Sequence, residues 1–358
     1  MKLKNSILIS IFTILFLALA GCNSSNETSK PVEEKKAGGK GEGNVSIDDS
    51  PVDVTLAGAS AGGLWQVIGE SLANAVRQEY PNSAVSYEPG NPAGSLIRLI
   101  NQETEMAGSP SVIEMGLALK GEAPFTQAYS PDDFYVLGKV YSDSAAHVLM
   151  RKDVAEKYGV ESLDDIREKK VPVRISLNQR GNLSEFTPGS ALLEAHDITL
   201  EDIEKWGGEI VYSASSQTVE EMKDGKLDLF IGNGFPPHGK FTELASTTDL
   251  VMLKLDDNAV QEVIDKWNLY PYTFKAGVYD FLDEDINSYA LDAYFLIGSH
   301  VSEDVGYKLA KAVHENLDSI KSAYASFDDL TIESFLDVGE YKLHPGAERY
   351  FKEQGLLK

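Results

Sequence analysis

Residues 54–69 read VTLAGASAGGLWQVIG, and within them Gly58-Ala59-Ser60-Ala61-Gly62 spells G-x-S-x-G, the spacing of a serine nucleophile elbow. An apolar run (Val52, Val54, Leu56) precedes the glycines and a helical pattern follows them, as an elbow requires. An α/β hydrolase, however, lays down several strands before its elbow and takes one oxyanion-hole donor from them, and only about ten residues of folded chain stand before Ser60. A permuted order, with an acid and then His344 downstream, has nothing to select it among six scattered histidines. The other chemistry open to this stretch is anion binding. A small-residue turn into a helix leaves backbone N–H groups unpaired at the positive end of the helix dipole, where a carboxylate or phosphate is stabilised, with Ser60 capping or donating. A tight turn with a capping serine and no ligand is the plain structural alternative.

Recurrence favours binding. Small and polar clusters also stand at Asn91-Pro92-Ala93-Gly94-Ser95, Gly108-Ser109-Pro110-Ser111, Arg180-Gly181-Asn182-Leu183-Ser184 and Gly232-Asn233-Gly234-Phe235-Pro236. Together they put several helix starts and hydroxyls on facing sheet edges, an arrangement that holds a small anion without metal or cofactor. No H-E-x-x-H or comparable spacing suggests a metal site, and neither G-x-G-x-x-G nor a Walker-type Gly-Lys-Ser/Thr suggests a nucleotide. No cofactor is expected. Trp65, just inside the helix after the glycines, is a candidate for the cleft wall.

The ends and the composition bound the setting. Lys2 and Lys4 precede an apolar run at 7–18 that is too short for a stable span and reads as an export signal. Leu19-Ala20-Gly21-Cys22 closes it and resembles the bacterial lipobox, whose cysteine is acylated; Cys22 is the single cysteine, so no internal disulfide can form. Residues 22–50 are rich in Ser, Asn, Glu, Lys and Gly and bury too little apolar surface to offset ordering, so they read as a disordered tether. Loss of Lys2 and Lys4 with a signal at 1–21 takes the formal charge from -24 to -26, and no basic run stands out, which argues against nucleic acid as partner.

The elements that must position these clusters alternate from residue 52 onward. Strands are expected at 52–56 and 84–88, and helices at 63–80 and 94–102. A second set follows at 172–177, 185–196, 209–212, 218–224 and 227–232, and a helix is expected over 305–323. Strand-like runs at 145–151 and 289–297 lie on either side of that second set. This is the punctuation of a doubly wound α/β sheet, arranged as two lobes that exchange chain at those two runs. No internal repeat is visible. The lobes are placed at 51–148 plus 294–358 and at 149–293, with a hinge between them.

Further residues resemble the TAXI-type solute receptors of tripartite ATP-independent (TRAP) transporters. Gly62-Gly63-Leu64-Trp65 and Gly69 are similar to that family's Gly-Gly-x-aromatic segment; Gly94-Ser95, AAHVLMRKD at 145–153, Lys223 to Asp228 and Ala276-Gly277-Val278-Tyr279 follow its pattern. The closing Leu343-His344-Pro345-Gly346-Ala347-Glu348-Arg349-Tyr350-Phe351-Lys352-Glu353-Gln354-Gly355-Leu356 resembles the family's HPGA-x-RYY-x-E-x-G ending, which caps a helix. Arg180 to Ser184 and Pro110-Ser111-Val112 depart from Pro-Gly-Ser-Gly-Thr and Gln-Ser-Asp, common in relatives. The resemblance implies a two-lobed periplasmic binding protein of type II, not an enzyme. It implies an exported lipoprotein, anchored through Cys22 on the extracytoplasmic face, that passes a small organic acid or amino acid, glutamate-like or dicarboxylate, to a TRAP membrane permease. The ligand residues expected are Ser60, Gly62, Gly63, Trp65, Ser95 and Ser109 from the first lobe, and Arg180, Asn182, Ser184, Asn233 and Phe235 from the second. A serine hydrolase using Ser60 and a sensory lipoprotein are the rival readings.

Overall fold

The computed structural model describes residues 48–323, 327 and 330–358; the signal, Cys22 and most of the tether lie outside them. Ten strands form one mixed sheet, here numbered in chain order: β1 (Asp53–Ala57), β2 (Ala84–Glu88), β3 (Met106–Ser111), β4 (Phe134–Arg151), β5 (Arg174–Ser176), β6 (Glu209–Val211), β7 (Leu229–Gly234), β8 (Leu250–Met252), β9 (Tyr270–Phe274) and β10 (Ile286–Gly298). Their order is β2-β1-β3-β10-β4-β7-β5-β6, with β8 beside β4 and β9 beside β10.

Two strands run the length of the sheet and divide it into wings. β4 pairs β10 over Phe134 to Ala145 and then pairs β7 and β8 over Ala145 to Arg151. β10 pairs β9 over Ile286 to Ala290 and then β3 over Ala293 to Ile297. The register shifts of the β4/β10 ladder gather between Leu291 and Leu296, where partners change, as bulges do where a strand must bend. Both wings repeat one plan. In each, the first strand lies between the second and third, all parallel, and the third pairs antiparallel with a long strand arriving from the other wing: β2-β1-β3-β10 in one, β6-β5-β7-β4 in the other. No sequence repeat accompanies it.

The strands form where β-branched and apolar residues cluster, and the central ones are buried almost throughout: β3 has no exposed position and β4 one, whereas β2 and β6, at the two ends of the sheet, have no buried position. The largest apolar core draws on both wings, from Leu96 and Ala107 through Val148 to Ile175 and Ile231. The expected elements fall close to place, with instructive differences. Helix Pro92–Ile100 starts two residues before its expectation because Asn91 caps it, accepting from the Gly94 N–H at 2.8 Å, with proline at the first helical position. The expected helix 305–323 is two helices, Glu303–Glu315 and Leu317–Lys321, divided at Asn316, whose backbone leaves helical geometry. The strand expected at 145–151 is the last third of β4. At the chain's end His344 caps helix Pro345–Glu353: its Nδ1 accepts from the Gly346 N–H at 3.3 Å, and Nε2 donates to the Val301 carbonyl at 3.1 Å.

Candidate functional site

A cavity of about 330 Å³ opens between the two wings, within the range that small-molecule sites occupy. The first wing lines it with residues 59–65, Val67, Pro92 and Ser109, the long strands with Tyr141, Ser144 and Leu291, and the second wing with Asn182, Ser184, Glu185, Ser215, Asn233, Phe235 and His238.

The wall from the first wing is built by the turn after β1. Gly58 lies against the Tyr87 ring so closely that a Cβ would fall 2.2 Å from it, and the Tyr87 hydroxyl donates to the Ala59 carbonyl at 2.9 Å. Gly62 takes φ +69°, a left-handed conformation glycine adopts at little cost. Its N–H donates to Gln66 Oε1 at 2.9 Å, and that of Gly63 to the Ser60 carbonyl at 3.2 Å. The glycine amides are therefore spent inside the turn. The donors left over include those of Leu64 and Trp65, at the first turn of helix Leu64–Glu79, which has no side-chain cap and no acidic residue in that turn. Ser60 does not cap; it is exposed on the cavity wall.

Ser109 is held at φ +91°, a region a serine rarely adopts, and its hydroxyl is buried without a partner among the described residues. It is 2% exposed and lines the cavity. A strained backbone and an unpaired polar group together at one cavity-lining residue make Ser109 a candidate for ligand contact. Ser95 turns away: it donates to the Pro92 carbonyl at 2.7 Å, is 2% exposed and is not among the lining residues.

On the second wing four of the five expected residues reach the cavity and Arg180 is left out: Asn182 and Ser184 stand at the start of helix Leu183–Ala195, Asn233 in β7 and Phe235 just after it. Ser184 Oγ donates across to the first wing's Glu114 at 2.8 Å, and Asn233 Nδ2 donates to the Ser184 carbonyl at 2.9 Å, so the Ser184 hydroxyl proton and one Asn233 amide proton are engaged within the wall. Glu114 also accepts from the Ser111 hydroxyl at 2.6 Å; burial pushes its carboxyl above the ordinary value, against the pull of those donors. Arg180 stands outside: its guanidinium lies 4.5 Å over the exposed Tyr212 ring and donates to that hydroxyl at 2.6 Å. Phe235 packs edge-on against Tyr141 at 4.7 Å, and Tyr141 meets Trp65 at 5.6 Å, giving an apolar wall shared by both wings.

The sequence reading missed Glu185, Tyr141 and His238. Glu185 Oε1 accepts from Asn182 Nδ2 at 3.0 Å and Oε2 from Asn178 Nδ2 at 3.0 Å; burial pushes its carboxyl up to about 7. Its signal was disguised, because Asn182-Leu183-Ser184-Glu185 reads as an ordinary capping box. Here Asn182 makes no cap bond and donates to Glu185 instead. His238 has a buried Nδ1 with no partner among the described residues, and burial lowers its pKa to about 4, so it faces the cavity neutral. No metal-holding cluster of His, Cys, Asp or Glu is found among the described residues.

A cavity between two like wings, walled by backbone donors, hydroxyls and aromatic rings, defines a small-solute binding protein of the periplasmic α/β type. The sequence matches the NMT1-like family over residues 56–355, and the chain belongs to that family of solute-binding proteins, which are not enzymes. Among solved structures, MatC from Rhodopseudomonas palustris with bound malate superposes with a TM-score of 0.51 at 12% identity, covering 86% of this chain and 97% of that one. PhnD1 from Prochlorococcus marinus in complex with methylphosphonate gives a TM-score of 0.49 at 10% identity, over 87% of this chain and 100% of that one. The periplasmic aliphatic sulphonate binding protein SsuA from Escherichia coli gives 0.42 at 13%, over 79% and 80%.

Proposed function

We propose that this chain is an exported, lipid-anchored receptor that captures a small carboxylate or amino acid between two lobes and passes it to the membrane permease of a TRAP-type transporter. The observation that carries the reading is the cavity's double wall: the uncapped start of helix Leu64–Glu79 with the unpaired Ser109 hydroxyl on one side, and the Asn182 to Glu185 helix start with Phe235 on the other. A ligand carboxylate placed over the Leu64 and Trp65 amides meets the positive end of a helix of 16 residues. Each wing is one lobe, with the hinge where β4 and β10 change partners, near Tyr141 to Ala145 and Leu291 to Ala293. A ligand touching both walls favours closure by its differential affinity for the closed state.

The transporter class rests on the TAXI-like residues, of which the ending at 343–356 is the most extended, and the anchor rests on Leu19-Ala20-Gly21-Cys22. A thermal-shift screen against organic acids and amino acids tests capture. A binder at one hundred times its Kd raises stability by about 2.7 kcal/mol, and an unmoved melting curve across the panel overturns the reading. Metabolic labelling with a palmitate analogue tests the anchor: label in wild type and none in Cys22→Ala is expected.

A further inference from the structure

Resting on the solute-binding reading above, we infer that the ligand carries a protonated amine and that Glu185 is its counter-ion, so that the cavity takes a zwitterion in preference to a dicarboxylate. The geometry around Glu185 is that of a carboxylate oriented and left with its charge uncompensated. Asn182, Asn178 and Ser215 donate to its two oxygens at 3.0, 3.0 and 3.4 Å, and the Asn233 backbone N–H faces it as well. Every one of these donors is neutral. Among the described residues no lysine or arginine forms an ion pair with Glu185, and no arginine lines the cavity. A half-buried carboxylate without a cation carries a desolvation cost, and part of that cost is recovered when an opposite charge arrives.

The remaining titratable groups around the carboxylate do not supply that charge. Tyr141 and Tyr289 face it as un-ionised phenols, Glu114 lies behind Ser184, and His238 is neutral. Lys240 lines the same cavity but is exposed to water. A dianion would therefore add two negative charges to a cavity that already holds Glu185. A zwitterion suits both walls: its carboxylate goes to the uncapped helix start and the unpaired, 2% exposed Ser109 hydroxyl, and its ammonium goes to Glu185.

Calorimetric titration of the purified protein with matched pairs decides the matter: L-glutamate against glutarate, L-leucine against 4-methylpentanoate, and L-alanine against propionate, at pH 8 and pH 6. The amine-bearing member of at least one pair is expected to bind, and its deaminated partner to bind at least tenfold more weakly. Glu185→Gln should weaken the amine by about 10- to 100-fold, as loss of a charged hydrogen bond does, and leave the deaminated acid unchanged or tighter. Because burial pushes the Glu185 carboxyl up to about 7, wild-type affinity for the amine should fall about tenfold from pH 8 to pH 6. A deaminated acid that binds as tightly as its amine, a Glu185→Gln variant with unchanged amine affinity, or affinity that rises toward pH 6 overturns the inference; the last would mean that the protonated carboxyl donates to an anion. In each of these cases solute capture survives. If neither member of any pair binds, the receptor reading fails together with the inference. Should Glu185→Gln not fold, the wild-type pair ratios and their pH dependence still decide, and Glu185→Asp, which keeps the charge, should keep the amine preference.

Discussion

Tyr279→Phe removes one oxygen from the second wing and breaks two hydrogen bonds at once. His147 is fully buried on β4 between the rings of Phe241 and Phe274, 4.7 and 4.6 Å away. Its Nδ1 donates to the Ala145 carbonyl at 2.9 Å, which leaves Nε2 as an acceptor for the Tyr279 hydroxyl at 2.7 Å. The same hydroxyl accepts the backbone N–H of His238 at 2.7 Å. The variant keeps the ring stacked 4.9 Å from Phe281 but strands a buried imidazole nitrogen and a half-buried amide. Each unpaired group costs about 1–3 kcal/mol, so with some relaxation the loss should be about 2–4 kcal/mol. Urea unfolding followed by circular dichroism should show the midpoint falling at unchanged slope, the shift multiplied by that slope giving this loss. Tyr158→Phe, whose hydroxyl has no protein partner among the described residues, should stay within about 0.5 kcal/mol and serves as the control. A Tyr279→Phe loss no larger than the control's would refute this account of the His147 network.

Acid should act through the same histidine. Burial holds the His147 pKa down at about 3, against 6.5 for an ordinary imidazole, so the unfolded chain takes up a proton that the folded chain refuses. The stability this contributes is complete above about pH 6.5 and is lost as pH falls toward 3, at about 1.4 kcal/mol per pH unit; His147→Gln should flatten the stability profile between pH 6 and 4.5 by that slope. Ser109→Gly frees a backbone held at φ +91° and should raise stability by about 0.5–1 kcal/mol while weakening the best ligand about threefold to tenfold, read by melting and titration on one preparation. Arg180→Ala, outside the cavity and stacked on Tyr212, should leave ligand affinity within about twofold by the same titration.

The early α/β alternation was legible because amphipathic helices and buried strands carry strong periodicity; helix Leu64–Glu79 and strand β2 fall where expected within a residue. The first two thirds of β4 were not. Residues 134–144 include Gly138, Lys139, Ser142, Asp143 and Ser144, and Lys139 is tolerated there because Asp337 and Asp292, far apart in sequence, meet its ammonium at 3.0 and 3.4 Å. Pairing between distant carboxylates leaves no local pattern. The same limit governs the site. The small-residue corners were visible because glycine and serine punctuate the chain, whereas the destination of each donor was not. Arg180 found a tyrosine, Ser184 found Glu114, and the glycine amides closed their own turn. Glu185 escaped notice because a glutamate at the third helical position ordinarily faces water.

The shared strands also bear on how the molecule comes into being. Each wing completes its ladder with chain that belongs, by order of synthesis, to its neighbour: β3 waits for β10, and β7 relies on β4. Neither wing owns a full set of partners, so a ribosome halted midway would release an open β3 edge and no self-sufficient product. Severing the chain between them would yield two fragments that regain order only by finding each other, which makes this binding protein a single unit in assembly even though its plan is written twice.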